Sequence, residues 1–133
     1  MSKKHKFLRT LWYFAPPIIW MIFIFFLSSK TKVSATQVYI YDFIIFKSLH
    51  LVEYATLFFL NFRAMHSLRL KPIVYEYLFS IGISIVYAAT DEIHQLFIST
   101  RQGSIRDILI DTLGMLIMYM LVKRYYRFLK RLL

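Results

Sequence analysis

Residues Leu11–Leu27 read LWYFAPPIIWMIFIFFL, seventeen positions without a charge. With Thr10 before it and Ser28–Ser29 after it, the run reaches roughly 20 residues, the length that crosses a bilayer core as a helix. A basic leader (Lys3, Lys4, Lys6, Arg9) precedes it, as in a signal peptide, and Val33-Ser34-Ala35 faintly resembles a cleavage site. The run is longer than a usual signal's apolar segment and further apolar segments follow, so it reads as a retained span. Pro16 and Pro17 lie about two turns into it, which predicts a helix that starts late at the prolines or kinks there.

Composition extends that reading to the whole chain. Apolar residues make up 59% and aromatics 19% of 133 residues, where soluble domains run at about 45–50% apolar. A chain this short has too little interior to hide the excess. The absence of cysteine excludes a disulfide-stapled secreted domain, and three glycines exclude a collagen-like repeat. What remains is a small integral membrane protein.

Three more apolar segments follow: about Leu49–Phe62, Ile73 to about Ile98, and Ile105–Val122. None alternates in polarity, so all are read as helices. The fourth opens on Ser104-Ile105-Arg106-Asp107, a capping-box pattern in which the serine accepts from an orphan amide. The predicted class is all-α: a polytopic membrane protein with four transmembrane helices. Residues 1–10 form a basic tail, 11–122 the transmembrane domain, and 123–133 a second basic, interfacial tail. There the aromatics Tyr125, Tyr126 and Phe128 interleave with cations.

Charge placement sets the orientation. Of the seventeen lysines and arginines, twelve fall in the two tails and the loop after span two (Arg63, Arg69, Lys71). Lys30, Lys32, Lys47, Arg101 and Arg106 fall on the other side. The positive-inside rule then puts both termini in the cytoplasm, with outer loops at about 28–47 and 99–106. The net charge of +10 is accounted for by topology and attraction to anionic lipid heads. No nucleic-acid-binding motif or soluble domain accompanies it, so nucleic acid is not an expected partner.

Charges inside spans are costly, about 2.5–3.5 kcal/mol each even on a lenient scale. Yet five of the seven acids, Glu53, Asp91, Glu92, Asp107 and Asp111, lie in or at the ends of spans, all toward the outer side. Lys47, His50, Glu53 and Tyr54 share one broad helix face, and Asp91, Glu92 and Gln95 share another. Asp107, Asp111 and Gly114 form an i, i+4, i+7 stripe whose glycine admits a close neighbour. Three helices thus turn polar faces toward one outer-leaflet cavity, with Arg101 and Arg106 at its mouth. The competing reading is ion pairing that only holds helices in register, such as Lys47 with an acid or Arg106 with Asp107. His94, off the Asp91/Gln95 line, is read as interfacial, and Asp42 and Glu76 as solvated loop or interface residues. Ser28 and Ser29 are either helix-end residues or phosphate-directed hydroxyls.

These motifs, in this order, resemble the VanZ-like family of small bacterial membrane proteins. They are Phe26-Leu27-Ser28-Ser29, Lys47-x-x-His50-x-x-Glu53-Tyr54, Asp91-Glu92-x-x-Gln95-x-Phe97 and Arg101-x-Gly103-Ser104-x-Arg106-Asp107-x-x-x-Asp111-x-x-Gly114. The resemblance covers about residues 15–122. It departs where the family commonly has a proline after the two serines and this chain has Thr31-Lys32. It implies a cell-membrane protein associated with low-level resistance to teicoplanin and related lipoglycopeptides, with no settled chemistry.

Two classes of mechanism fit the residues. In the first, the site handles a lipid headgroup, with His50, Glu53, Asp91, Glu92 and Asp111 as catalytic candidates. Lys47, Tyr54, Gln95, Arg101, Arg106, Asp107, Ser28 and Ser29 are then candidates for binding the substrate. A divalent cation held by carboxylates and His50 is one candidate cofactor; the metal ligands are otherwise unknown. In the second, the protein is structural or partner-binding and alters the envelope without chemistry. A bundle of this size is also a candidate for homo-oligomerisation, though no small-xxx-small face marks an interface.

Overall fold

The computed structural model describes residues 3–30, 38–98, 104–130 and 133. Among them the chain forms four helices and no strand: α1 (Lys3–Ser28), α2 (Tyr39–Ser67), α3 (Val74–Gln95) and α4 (Ile105–Leu129). Consecutive helices run antiparallel. Arg9 near the start of α1 donates to the Ser67 carbonyl at the end of α2, 3.2 Å away. At the opposite end Ser29, just past α1, meets His94 in the last turn of α3. Helix α2 is central and packs against all three others, most extensively against α4. The candidate cleavage sequence 33–35 lies outside the described residues.

Helix α1 neither starts late nor breaks at the prolines; it continues through both. Pro16 has no N–H to give the Trp12 carbonyl. The Arg63 guanidinium from α2 reaches that carbonyl at 3.5 Å and lies over the Tyr13 ring at 4.7 Å. The next helix supplies the donor that the proline removes.

Helix α2 begins ten residues before the expected span, so much of the anticipated 28–47 loop is helical. Asp42 stands in its first turn, not in a loop. Lys47 does not interrupt the helix because Asp107 of α4 neutralises it. Helix α4 runs to Leu129, past the expected end at Val122, with one non-helical residue at Tyr125 (φ −104°, ψ 19°). Leu133 then folds back onto the core.

Polarity is distributed inside out. A band of Tyr54, Leu57, Phe58, Phe62, Ala88, Met115 and Val122 fills the centre with Ile24. The other buried residues are largely polar: Asn61, Glu76, Ser80, Ser84, Asp91, Glu92, Gln95, Asp107 and Asp111. The outside carries Ile18, Ile19, Phe26, Ile40, Leu78, Val86, Leu109 and many like them. Two helices are long and apolar enough to cross a membrane, over Phe7–Ser28 and Tyr39–Ser67. Helices α3 and α4 fall short of that measure because they carry most of the interior polar residues.

Gly114 sets the closest helix contact. A Cβ there would overlap the backbone carbonyl of Leu51, so α2 and α4 approach to backbone distance, as the stripe through Gly114 predicts.

Candidate functional site

At one end of the bundle, α2, α3 and α4 bring their polar faces together. Lys47 Nζ is 2.6 Å from Asp107 Oδ2. Arg106 Nε is 3.7 Å from Asp107 Oδ1, and its guanidinium lies over the Phe43 ring. His50 Nδ1 is 3.5 Å from Asp111 Oδ1 and 4.0 Å from Glu53 Oε2. On α3, Gln95 Nε2 donates to Asp91 Oδ2 at 3.0 Å and to Glu92 Oε1 at 3.4 Å.

The start of α4 is locked into this cluster. The Asp107 N–H donates to Ser104 Oγ at 3.3 Å, the cap that the sequence pattern predicts. The Ser104 N–H in turn donates to Glu92 Oε2 at 2.8 Å. One oxygen of Glu92 therefore serves as the anchor for α4, a positioning role within the candidate catalytic set.

Three other carboxylates are not so occupied. Asp91 Oδ1, Asp107 Oδ1 and both oxygens of Asp111 are buried without a hydrogen-bond partner among the described residues, as are the Tyr54 hydroxyl and His50 Nδ1. Asp111 is 0% exposed and Asp91 3%. Each unsatisfied buried acceptor costs about 1–3 kcal/mol, more for a charged one. Five acids meet here against two described cations, and Lys47 is already held by Asp107. Among the described residues, four unpartnered carboxylate oxygens stand against two unpartnered groups able to donate, the Tyr54 hydroxyl and His50 Nδ1, so the interior of this end is rich in acceptors. The side chains of Lys47, His50 and Glu53 are 15–19% exposed, so this face of α2 is where the cluster reaches the surface.

Of the expected site residues, Lys47, His50, Glu53, Tyr54, Asp91, Glu92, Gln95, Arg106, Asp107 and Asp111 gather at this end. Arg101 lies outside the described residues. Ser28 and Ser29 stand as helix-end residues: both hydroxyls donate to the Phe25 carbonyl. Ser29 Oγ also meets His94 Nε2 at 3.0 Å, and Phe25 stacks on the His94 ring. Among the described residues no three His, Cys, Asp or Glu side chains form a set able to hold a metal ion. The divalent-cation expectation therefore gains no support from the geometry of the described residues.

The opposite end holds a polar cluster that the spacing argument missed. Glu76, expected to be solvated, is 2% exposed, and its Oε2 lies 2.6 Å from His66 Nδ1. His66 Nε2 meets the Tyr126 hydroxyl at 3.3 Å. Further in, Asn61 Nδ2 donates to Ser84 Oγ at 2.9 Å, while Ser80 and Ser84 donate back to their own helix. The i, i+4 series Glu76, Ser80, Ser84 was the available signal: it marks one polar stripe on a helix whose outside is apolar.

Residues 13–129 match the family model described as VanZ/LLP1. The chain belongs to the VanZ/LLP1 family. The match extends over all four helices and takes in both polar ends. Comparison with curated proteins and with solved structures gives no match.

Proposed function

We propose that this VanZ/LLP1-family chain is a multi-pass protein of the bacterial cell membrane with four spans and both termini in the cytoplasm. Its acidic end faces the outer leaflet and binds the headgroup of an envelope lipid, and that binding lowers susceptibility to teicoplanin-type lipoglycopeptides. The observation that carries the reading is the set of buried oxygens, Asp91 Oδ1, Asp107 Oδ1 and both of Asp111, without a hydrogen-bond donor among the described residues inside a bundle whose exterior is apolar. Acceptors left bare in such a place are stabilised by a ligand that brings N–H or O–H groups. An amino- or hydroxyl-bearing headgroup supplies those, and its phosphate is matched by Arg106 at the exposed rim.

A second reading, chemistry on the bound headgroup, is favoured by one observation. His50 Nδ1 faces both Asp111 and Glu53, at 3.5 and 4.0 Å, an arrangement in which the carboxylates orient the imidazole and Nε2 is the atom left to meet a reactant. Both readings require the carboxylates, and they separate at His50, which chemistry needs and binding alone does not.

The test is a susceptibility panel in a drug-sensitive Gram-positive host, with teicoplanin and vancomycin. Empty vector, wild type, Glu53→Gln, Asp91→Asn and His50→Gln are compared at matched membrane abundance. Protection against teicoplanin by wild type, lost in Glu53→Gln or Asp91→Asn, is the expected result. Equal protection by both carboxylate variants makes the cluster scaffold and ends the proposal.

A further inference from the structure

At the end of the bundle opposite the carboxylate cluster, α1, α2, α3 and α4 enclose a cavity of about 540 Å³. Four cations line it: Arg9, Arg69, Lys71 and Lys130. The acid in its lining is Glu76, whose carboxylate is taken up by His66 at 2.6 Å. The six other acids of the chain belong to the opposite half, Asp42 in the first turn of α2 and the rest in the cluster already described. Arg69, Lys71 and Lys130 therefore have no side-chain carboxylate partner among the described residues. Arg9 is held in place by the Ser67 carbonyl, and the Tyr126 hydroxyl adds a polar group that can donate. A cavity of this size, ringed by cations and with its acid already hydrogen-bonded to His66, fits a phosphate group with its oxygens turned to the rim.

A second feature says what the phosphate is attached to. Farther along α3 lies an apolar groove of about 480 Å³ bounded by Leu78, Phe79, Ile83 and Val86, with Met21 of α1 on its other side. Both hollows are walled by α1 and α3. Glu76 of the first and Phe79 of the second stand three residues apart on α3, roughly 4.5 Å along its axis and neighbours on the helix surface. Cationic cavity and apolar groove thus follow one another along α3, as headgroup and acyl chain do in a lipid.

We propose that the basic end is a specific binding site for an anionic phospholipid, with the phosphate among Arg9, Arg69, Lys71 and Lys130 and an acyl chain along the α1–α3 groove. The site is separate from the carboxylate cluster, and its failure would leave the reading of that cluster untouched.

The experiment is native mass spectrometry of the full chain released from mixed micelles of phosphatidylglycerol and phosphatidylcholine. It compares wild type, the triple variant Arg69→Gln/Lys71→Gln/Lys130→Gln, and a control triple of equal charge loss, Lys123→Gln/Arg124→Gln/Arg127→Gln. The expected result is one retained phosphatidylglycerol on wild type and control, and a loss of about tenfold or more in the cavity variant. Equal loss in both triples would show diffuse attraction and overturn the site. Retention of phosphatidylcholine as strongly as phosphatidylglycerol would overturn it too. Inorganic phosphate or glycerol phosphate in excess should leave the lipid bound; displacement by either would make the ligand a free anion and overturn the lipid assignment. All three cavity substitutions fall on exposed positions. Should the triple lose helicity, Lys71→Gln and Lys130→Gln taken singly must each lower retention, or the proposal fails.

Discussion

Asp111 carries two carboxylate oxygens into the bundle with no hydrogen-bond donor on either among the described residues, its ionic neighbour there being His50 at 3.5 Å. Asp111→Asn removes a buried charge and adds two donors among bare acceptors. It should raise stability by about 1 kcal/mol while abolishing protection against teicoplanin. Thermal unfolding of the purified protein beside the susceptibility panel checks both halves, and a destabilised variant would make Asp111 a structural partner of His50. The His66–Glu76 pair behaves oppositely, because it is complete. His66→Ala strands a carboxylate that is 2% exposed and should cost about 3 kcal/mol. The double variant His66→Ala/Glu76→Ala should cost less than the sum of the two singles. An additive double-mutant cycle would show that the 2.6 Å contact carries no coupling. This pair was not legible in the sequence, since its members are ten residues apart across a turn and Tyr126 is sixty away. Spacing within one helix cannot report such meetings.

Within each helix, by contrast, spacing was a sound guide. Lys47, His50 and Glu53 on α2 and Asp107 and Asp111 on α4 share faces as their i+3 and i+4 intervals require, and the faces meet. The Ser104 cap forms as its pattern foretells. What misled was charge used as a boundary: Lys47 ended the expected span, yet α2 continues to Tyr39 because a carboxylate of α4 neutralises the lysine. The prolines misled for the same reason. Their cost was judged within α1, and Arg63 of α2 offsets it from outside. Contacts between helices decide such cases, and a single helix's pattern does not contain them. The α2–α4 contact is the most demanding of these. Gly114→Ala drives a Cβ into the Leu51 carbonyl, and backbone cannot step aside as a side chain does. The expected cost is about 1–3 kcal/mol, read as a lowered unfolding temperature. Teicoplanin protection should fall as well, because Asp111 lies one turn away on the same face. An unchanged unfolding temperature would mean that the two helices are not in backbone contact.

The bundle wraps an apolar central band and two polar ends in an apolar surface, with most of the acids gathered at one end and most of the cations at the other. That arrangement answers two separate demands. The apolar exterior suits hydrocarbon, where an outward-facing carboxylate would be expensive. The axial separation of charge suits a potential and a leaflet asymmetry, since cations are retained on the cytoplasmic side. If both demands act, the orientation follows from charge alone, and it can be read directly because the chain has no cysteine of its own. Phe97→Cys lies just past α3 at the acidic end, where Phe97 is exposed, and Arg127→Cys is exposed near the end of α4 at the basic end. A membrane-impermeant maleimide applied to intact cells should label Phe97→Cys at once and Arg127→Cys only after permeabilisation. The reverse pattern would turn the acidic cluster toward the cytoplasm, out of reach of any drug acting at the cell surface. It would also place the basic cavity against the outer leaflet, where the positive-inside rule gives no reason for its cations. Labelling of both in intact cells would mean that the two ends do not lie on opposite sides, and the four-span bundle itself would have to be given up.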